Sequence, residues 1–184
     1  MFGFLRKSAG KKETIELPQL ASEIVALSKT INGYLQETDP NLKPSSDATR
    51  TVLAETLLFL TYLCDRTFFL RFGPAKRSEI MGQLRTAIVF FLKDDEFTKG
   101  KYLDLYNIRM SEYGPLALLP ERDLASGGEL KGTAIWKWCC VAGDIYGDGK
   151  NNGLVTGFAG PAMMKVMVQL KLNERDIQLL PSNG

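Results

Sequence analysis

The sequence contains no histidine among its 184 residues. Histidine is the usual general base near neutral pH and the commonest metal ligand. Its absence excludes Ser-His-Asp and Cys-His catalysis, histidine-containing zinc sites and the Glu-x-x-His pattern of di-iron proteins. An enzyme built from this chain would have to use carboxylate, lysine, tyrosine or isolated cysteine chemistry.

Cysteine is scarce, and its three occurrences are Cys64 and the adjacent pair Cys139 and Cys140. An odd count with two adjacent thiols fits neither a disulfide framework nor a C-x-x-C zinc spacing. Adjacent helical residues point about 100° apart, so the pair is poorly placed to share a tetrahedral metal. We therefore expect reduced thiols packed as small apolar side chains, which suits a cytoplasmic protein.

The chain also lacks a strong net charge and a long apolar run. Its net charge is +2 and its Lys and Arg residues are scattered, so we expect no nucleic-acid partner. The most apolar segment lies within residues 47–72, but Glu55 interrupts it and it falls short of the ~20 apolar residues that a membrane span needs. We expect no stable membrane insertion.

Residues 1–13 combine aromatic and basic side chains and lack the apolar core of a signal peptide. We expect this segment to be a flexible terminus. The alternative is a weak peripheral contact with an anionic membrane through Phe2, Phe4, Arg6 and Lys7.

Helical periodicity dominates the rest of the chain. Apolar residues recur at steps of three and four, and no alternating pattern is long enough to build a sheet. We predict an all-α fold, with residues 14–184 forming one domain of about five to seven helices around a central apolar helix at 47–72. The predicted helices span 17–38, 47–72, 74–94, 97–113 and 129–145, with a sixth opened by Pro161 and a short last turn after Asn173.

The segment DIYGDGKNNG, residues 144–153, half resembles a calcium loop. Counted from Asp144, Asp148 and Gly149 fall at positions 5 and 6 of an EF-hand loop. However, Tyr146 and Val155 occupy positions 3 and 12, where oxygen ligands are required. We expect a turn in which Gly and Asn supply the positive φ angles, and the sequence leaves open whether the segment binds a cation.

Two aromatic sets are candidates for ligand or partner contacts. Trp136 and Trp138 lie two residues apart, about 200° around a helix, so both cannot face the same core layer. Tyr102 and Tyr106 form a stripe at helical spacing, which is typical of a core edge or of a tyrosine-lined groove.

A charged set lies in the most apolar helix. Asp65 and Arg66 fall on its polar stripe, and Arg71 lies near its carboxyl end. We expect surface or interhelical ion pairs, and the alternative is a binding site for a phosphate or carboxylate.

Three classes of function remain open. The absence of histidine, metal-ligand spacing and cofactor motifs favours a non-enzymatic cytoplasmic interaction or regulatory module, whose partner is another protein or a second copy of the chain. The aromatic and methionine-rich helices also suit a bundle that binds a small molecule or lipid. A third hypothesis is an enzyme that uses carboxylates or tyrosine. We predict no catalytic, cofactor-binding or metal-binding residue.

Overall fold

The computed structural model describes residues 13–118, 130–172 and 174–178. Helices make up most of these residues, which confirms the all-α class in its broad form. The elements in chain order are β1 (Glu13–Glu16), α1 (Leu17–Glu37), α2 (Ser46–Phe91), α3 (Glu96–Tyr113), α4 (Ala134–Tyr146), α5 (Gly153–Leu170) and β2 (Arg175–Gln178).

A two-stranded parallel sheet corrects the prediction that no sheet forms. Strands β1 and β2 pair in register from Glu13 with Arg175 to Glu16 with Gln178. Four residues are too few to show a period of two, and the paired strands lie at opposite ends of the described chain. The second strand also replaces the short helical turn that was predicted after Asn173, a residue outside the described ones.

Glu13 was assigned to the flexible terminus, but it lies in β1. The rest of that segment, with the predicted membrane-contacting residues Phe2, Phe4, Arg6 and Lys7, lies outside the described residues. None of the helices in the described ranges is long and apolar enough to cross a membrane.

Helix α2 consists of two helical segments that meet at a sharp kink, at the point where the sequence predicted one helix to end and the next to begin. Ser45 caps its first turn by accepting a hydrogen bond from the Ala48 amide at 3.1 Å. Residues 52–64 are buried on every side. Gly73 has φ 75° and ψ 176°, a conformation that side chains disfavour, and Pro74 follows it. The non-helical backbone of Gly73 therefore divides α2 into two helical segments that run in different directions.

The other helices pack around the buried half of α2. Helices α1, α3 and α4 contact it, and α5 packs against α1 and α4. An aromatic cluster lies where these layers meet: the Phe59 ring is 5.3 Å from that of Tyr113 and 5.8 Å from that of Trp138, measured between centroids. This core joins α2, α3 and α4.

Helices α4 and α5 begin elsewhere than the sequence predicted. Helix α4 begins at Ala134 instead of residue 129, because Thr133 Oγ1 caps it by accepting from the Trp136 amide at 3.2 Å. Helix α5 begins at Gly153 instead of Pro161, because the Asn152 side chain accepts from two backbone amides of its first turn.

Candidate functional site

The two tryptophans of α4 occupy different surroundings. Trp138 is fully buried, and its ring stacks on Phe59 with 29° between the ring planes. Its indole nitrogen is enclosed and has no hydrogen-bond partner in the described structure. Trp136 is only partly buried. Of the two, Trp136 is therefore the one that solvent, or a partner, can reach.

The tyrosine stripe of α3 lies against α2. Tyr102 is fully buried, and its hydroxyl is 3.2 Å from Thr61 Oγ1. The guanidinium of Arg85 lies over the Tyr106 ring, 3.7 Å from its centroid. Burial raises the pKa of both phenols, so both stay protonated at neutral pH. Neither hydroxyl has the lowered pKa that would make it a base.

Asp65 forms an ion pair across the kink of α2. Arg77 donates to its two carboxylate oxygens from Nε and Nη2, at 2.6 Å each. This hydrogen bonding raises the pKa of the Arg77 guanidinium. Asp65 was a candidate from the sequence, but Arg77, which stands beyond Gly73, was not.

Arg66 and Arg71 differ in what they bind. Arg71 Nη1 donates to the carbonyl oxygens of Leu172 and Arg175 at 2.6 and 2.7 Å, and so fastens β2 to the kink. Arg66 Nη1 donates to the Tyr62 hydroxyl at 3.1 Å and to the Leu116 carbonyl at 3.4 Å. The Arg66 charge has no carboxylate partner among the described residues.

A pocket of about 410 Å³ opens at the kink, and we call it the kink pocket. Arg66 and Arg77 line it beside two exposed apolar side chains, Phe69 (51% exposed) and Leu70 (77% exposed). Tyr62, Asp65 and Gly114 complete the lining. The pocket thus joins positive charge to apolar surface.

A second candidate surface is the solvent-facing side of α2 beyond the kink, which we call the outer face. Its members are all exposed: Ala75, Ser78, Glu79, Gly82, Thr86, Phe90 and Lys93. The solvent side of a helix is usually rich in charged residues, but this face carries one acid near its start and one base at its end. The signal for this face in the sequence is its shortage of charge.

An apolar groove of about 660 Å³ runs beside the outer face. Pro18 of α1 forms one wall, and Gly82, Ala87 and Phe91 line it from α2. Phe90 stands at its end with 63% of its surface exposed, and its ring is 5.8 Å from that of Phe91. Adjacent exposed apolar side chains that form a patch are typical of interaction surfaces.

Within the segment 144–153, residues 147–152 form the turn between α4 and α5, and the ends of the segment are helical. Gly149 takes a positive φ angle of 78°, as predicted, but the other positive φ angle in the turn, 52°, belongs to Asp148 and not to an asparagine. Asn152 Nδ2 donates to Asp39 Oδ2 at 3.1 Å while its oxygen caps α5. Within the described part of the chain, no group of three acidic or cysteine side chains is placed to hold a metal ion.

No protein-family model matches the chain, and neither a curated protein nor a solved structure is significantly similar to it.

Proposed function

We propose that the protein is a cytoplasmic, non-enzymatic interaction module that self-associates by packing the outer faces of α2 from two copies against each other. The observation that carries this proposal is the exposed outer face itself, which has small residues at one end and a phenylalanine at the other. Small side chains let two helices approach closely, and an exposed aromatic gains free energy when a partner covers it. The free thiols suit a reducing compartment.

The shape of the outer face favours an antiparallel arrangement. Ser78, Gly82, Thr86 and Phe90 recur every four residues on α2. A two-fold axis midway between Gly82 and Thr86 places Phe90 of each copy opposite Ser78 of the other. The bulky end of one face then fills the small end of the other, and the groove beside Pro18 receives the phenylalanine ring. A two-fold contact of this kind closes on itself as a dimer.

The charges of the outer face favour the same orientation. Glu79, which also pairs with the neighbouring Lys76 at 3.2 Å, stands near the start of the face and Lys93 at its end, and both are exposed. In the antiparallel dimer, Lys93 of one copy lies opposite residue 75 of the other. Glu79 of that second copy is four residues further along, which is about one helical turn or ~6 Å along the axis. A parallel pair would instead set like charges side by side, which disfavours it.

Sedimentation velocity over a concentration series tests the proposal. The wild-type chain should form dimers, and Gly82→Arg should prevent them by placing a charge at the centre of the contact. A Cβ at Gly82 meets no atom within 4 Å, so the fold should tolerate the change. Gly157→Arg is the matched control, because Gly157 is also helical, exposed and free of neighbours at the Cβ position. It should leave the dimer intact.

A charge exchange tests the orientation. Glu79→Lys and Lys93→Glu should each weaken the dimer, and the double variant should recover it, because the two charges then attract again across the axis. A wild-type chain that stays monomeric at every concentration would overturn the proposal. So would a double variant that is weaker than either single variant.

A further inference from the structure

We propose that the kink pocket binds a small monocarboxylate that carries an apolar group, such as a medium-chain acyl or arylalkyl acid. No residue of the outer face of α2 lines the pocket, and the inference does not depend on self-association. It concerns a ligand site, and it rests on the hydrogen bonding of Arg66, the charge count of the pocket and its exposed apolar wall.

Arg66 presents an unused hydrogen-bonding edge. Its Nη1 is occupied by the Tyr62 hydroxyl and the Leu116 carbonyl, which fix the guanidinium in place. Its Nε and Nη2 have no acceptor among the described residues. The same two atoms of Arg77, its Nε and Nη2, donate to both carboxylate oxygens of Asp65. A guanidinium edge of this kind matches the two oxygens of a carboxylate.

The charge of the pocket suits one negative charge. The lining contains two cations, Arg66 and Arg77, and one anion, Asp65. Since Arg77 and Asp65 pair directly, the balance is a single positive charge at Arg66. A monocarboxylate neutralises it, whereas a phosphate dianion would leave negative charge in excess beside Asp65. The site therefore favours a carboxylate over a phosphate.

The remainder of the pocket suits an apolar body. Phe69 and Leu70 follow Arg66 on α2 and are both more than half exposed. A volume of about 410 Å³ lies within the range of small-molecule sites. A ligand whose carboxylate reaches Arg66 would cover these two side chains with its apolar part. Removal of that apolar surface from water favours binding.

Titration of the full chain with octanoate, followed through backbone amide NMR shifts, tests the site. Saturable shifts should appear at residues 65–70, at Arg77 and at Gly114. Acetate, which lacks the apolar group, and octanol, which lacks the charge, should both bind much more weakly. Octyl phosphate should bind no more tightly than octanoate. If octanol or octyl phosphate binds more tightly than octanoate, or if the octanoate shifts fall elsewhere, the proposal is overturned.

Variants of Arg66 and Phe69 then separate the contributions of charge and of apolar contact to octanoate binding. Arg66→Met should weaken octanoate binding roughly 10- to 100-fold through loss of the charge-assisted pair. Arg66→Lys keeps the charge without the planar edge and should be intermediate. Phe69→Ala should weaken octanoate binding and leave acetate binding unchanged. Arg50→Met, which removes a guanidinium near the other end of the same helical segment, is the matched control and should bind like wild type.

Gly82→Arg separates this inference from the proposed function. A chain made monomeric by that change should still bind octanoate with wild-type affinity. Unchanged octanoate binding in both Arg66 variants, with their folds verified by circular dichroism, would overturn the carboxylate site and leave the dimer proposal standing.

Discussion

Arg109 of α3 holds both carboxylate oxygens of Glu55, with hydrogen bonds of 2.7 Å from Nε and 2.5 Å from Nη2. Glu55 lies in the buried half of α2 and is only 1% exposed. The third donor of Arg109, Nη1, reaches Glu112 at 2.6 Å, and Lys137 of α4 lies 3.9 Å from the same carboxylate. This chain of charges links three helices beside the aromatic cluster, where an unpaired charge would be costly.

Breaking the Glu55–Arg109 pair should be strongly destabilising. Arg109→Met leaves a buried carboxylate without its partner and should lower the free energy of unfolding by about 3–5 kcal/mol. The double variant Glu55→Met/Arg109→Met removes both charges and should be much more stable than the sum of the single effects predicts. A double-mutant cycle measured by urea unfolding gives the coupling energy.

The exposed pair Arg50–Asp47 provides the control for that cycle. Its atoms are 3.2 Å apart, but the side chains are 39% and 70% exposed, so its coupling should stay below about 1 kcal/mol. If the Glu55–Arg109 coupling energy is also below about 1 kcal/mol, the buried pair does not stabilise the fold as predicted.

The kink at Gly73 should depend on the residue being glycine. Gly73→Ala forces a side chain into a backbone region at φ 75° and ψ 176° and should cost about 1–3 kcal/mol. Gly157→Ala, at an exposed helical site with equal room for a Cβ, should instead stabilise by about 0.4–1 kcal/mol. Thermal unfolding of the two variants measures the difference, and equal effects of the two changes would exclude a conformational requirement at Gly73.

The helical class and the break at Gly73–Pro74 were predictable because local signals encode them. Apolar spacing reports which side of a helix is buried, and a glycine followed by a proline marks a change of direction. The sheet was not predictable, because β1 and β2 are four residues each and lie at opposite ends of the described chain. Long-range pairing of such short strands leaves no period in the sequence.

The start of α5 was missed because its glycines resemble a loop. Residues 153–160 read GLVTGFAG, which local propensity assigns to irregular structure. Tertiary packing overrides that preference: a Cβ on Gly160 would lie 2.9 Å from Leu130 Cδ1 and 3.7 Å from Cys139 Sγ. The glycine therefore lets α5 approach α4 closely, and the close contact supports the helix.

The candidate site was predicted only in part. Asp65 and Arg66 were identified from their charge in an apolar helix, but Arg77 was not. On a straight helix, residues twelve apart point about 120° away from each other, so spacing gives no reason to pair Asp65 with Arg77. The kink brings them within 2.6 Å, and the pocket exists because of that change in direction.

The three cysteines should differ sharply in reactivity. Cys64 and Cys139 are fully buried, and Cys140 is only partly buried. Burial raises the pKa of the Cys139 thiol to about 12 and also raises those of Cys64 and Cys140, the latter with a further contribution from Asp144.

A chromogenic disulfide reagent should therefore label one thiol per native chain, Cys140, and the other two only after unfolding. Because the thiolate is the reacting form, the raised pKa should make Cys140 react more slowly than a peptide thiol near pH ~8, and its rate should rise as the pH increases. In Cys140→Ser, the native chain should be unreactive, and rapid labelling of that variant would show that one of the buried thiols is accessible.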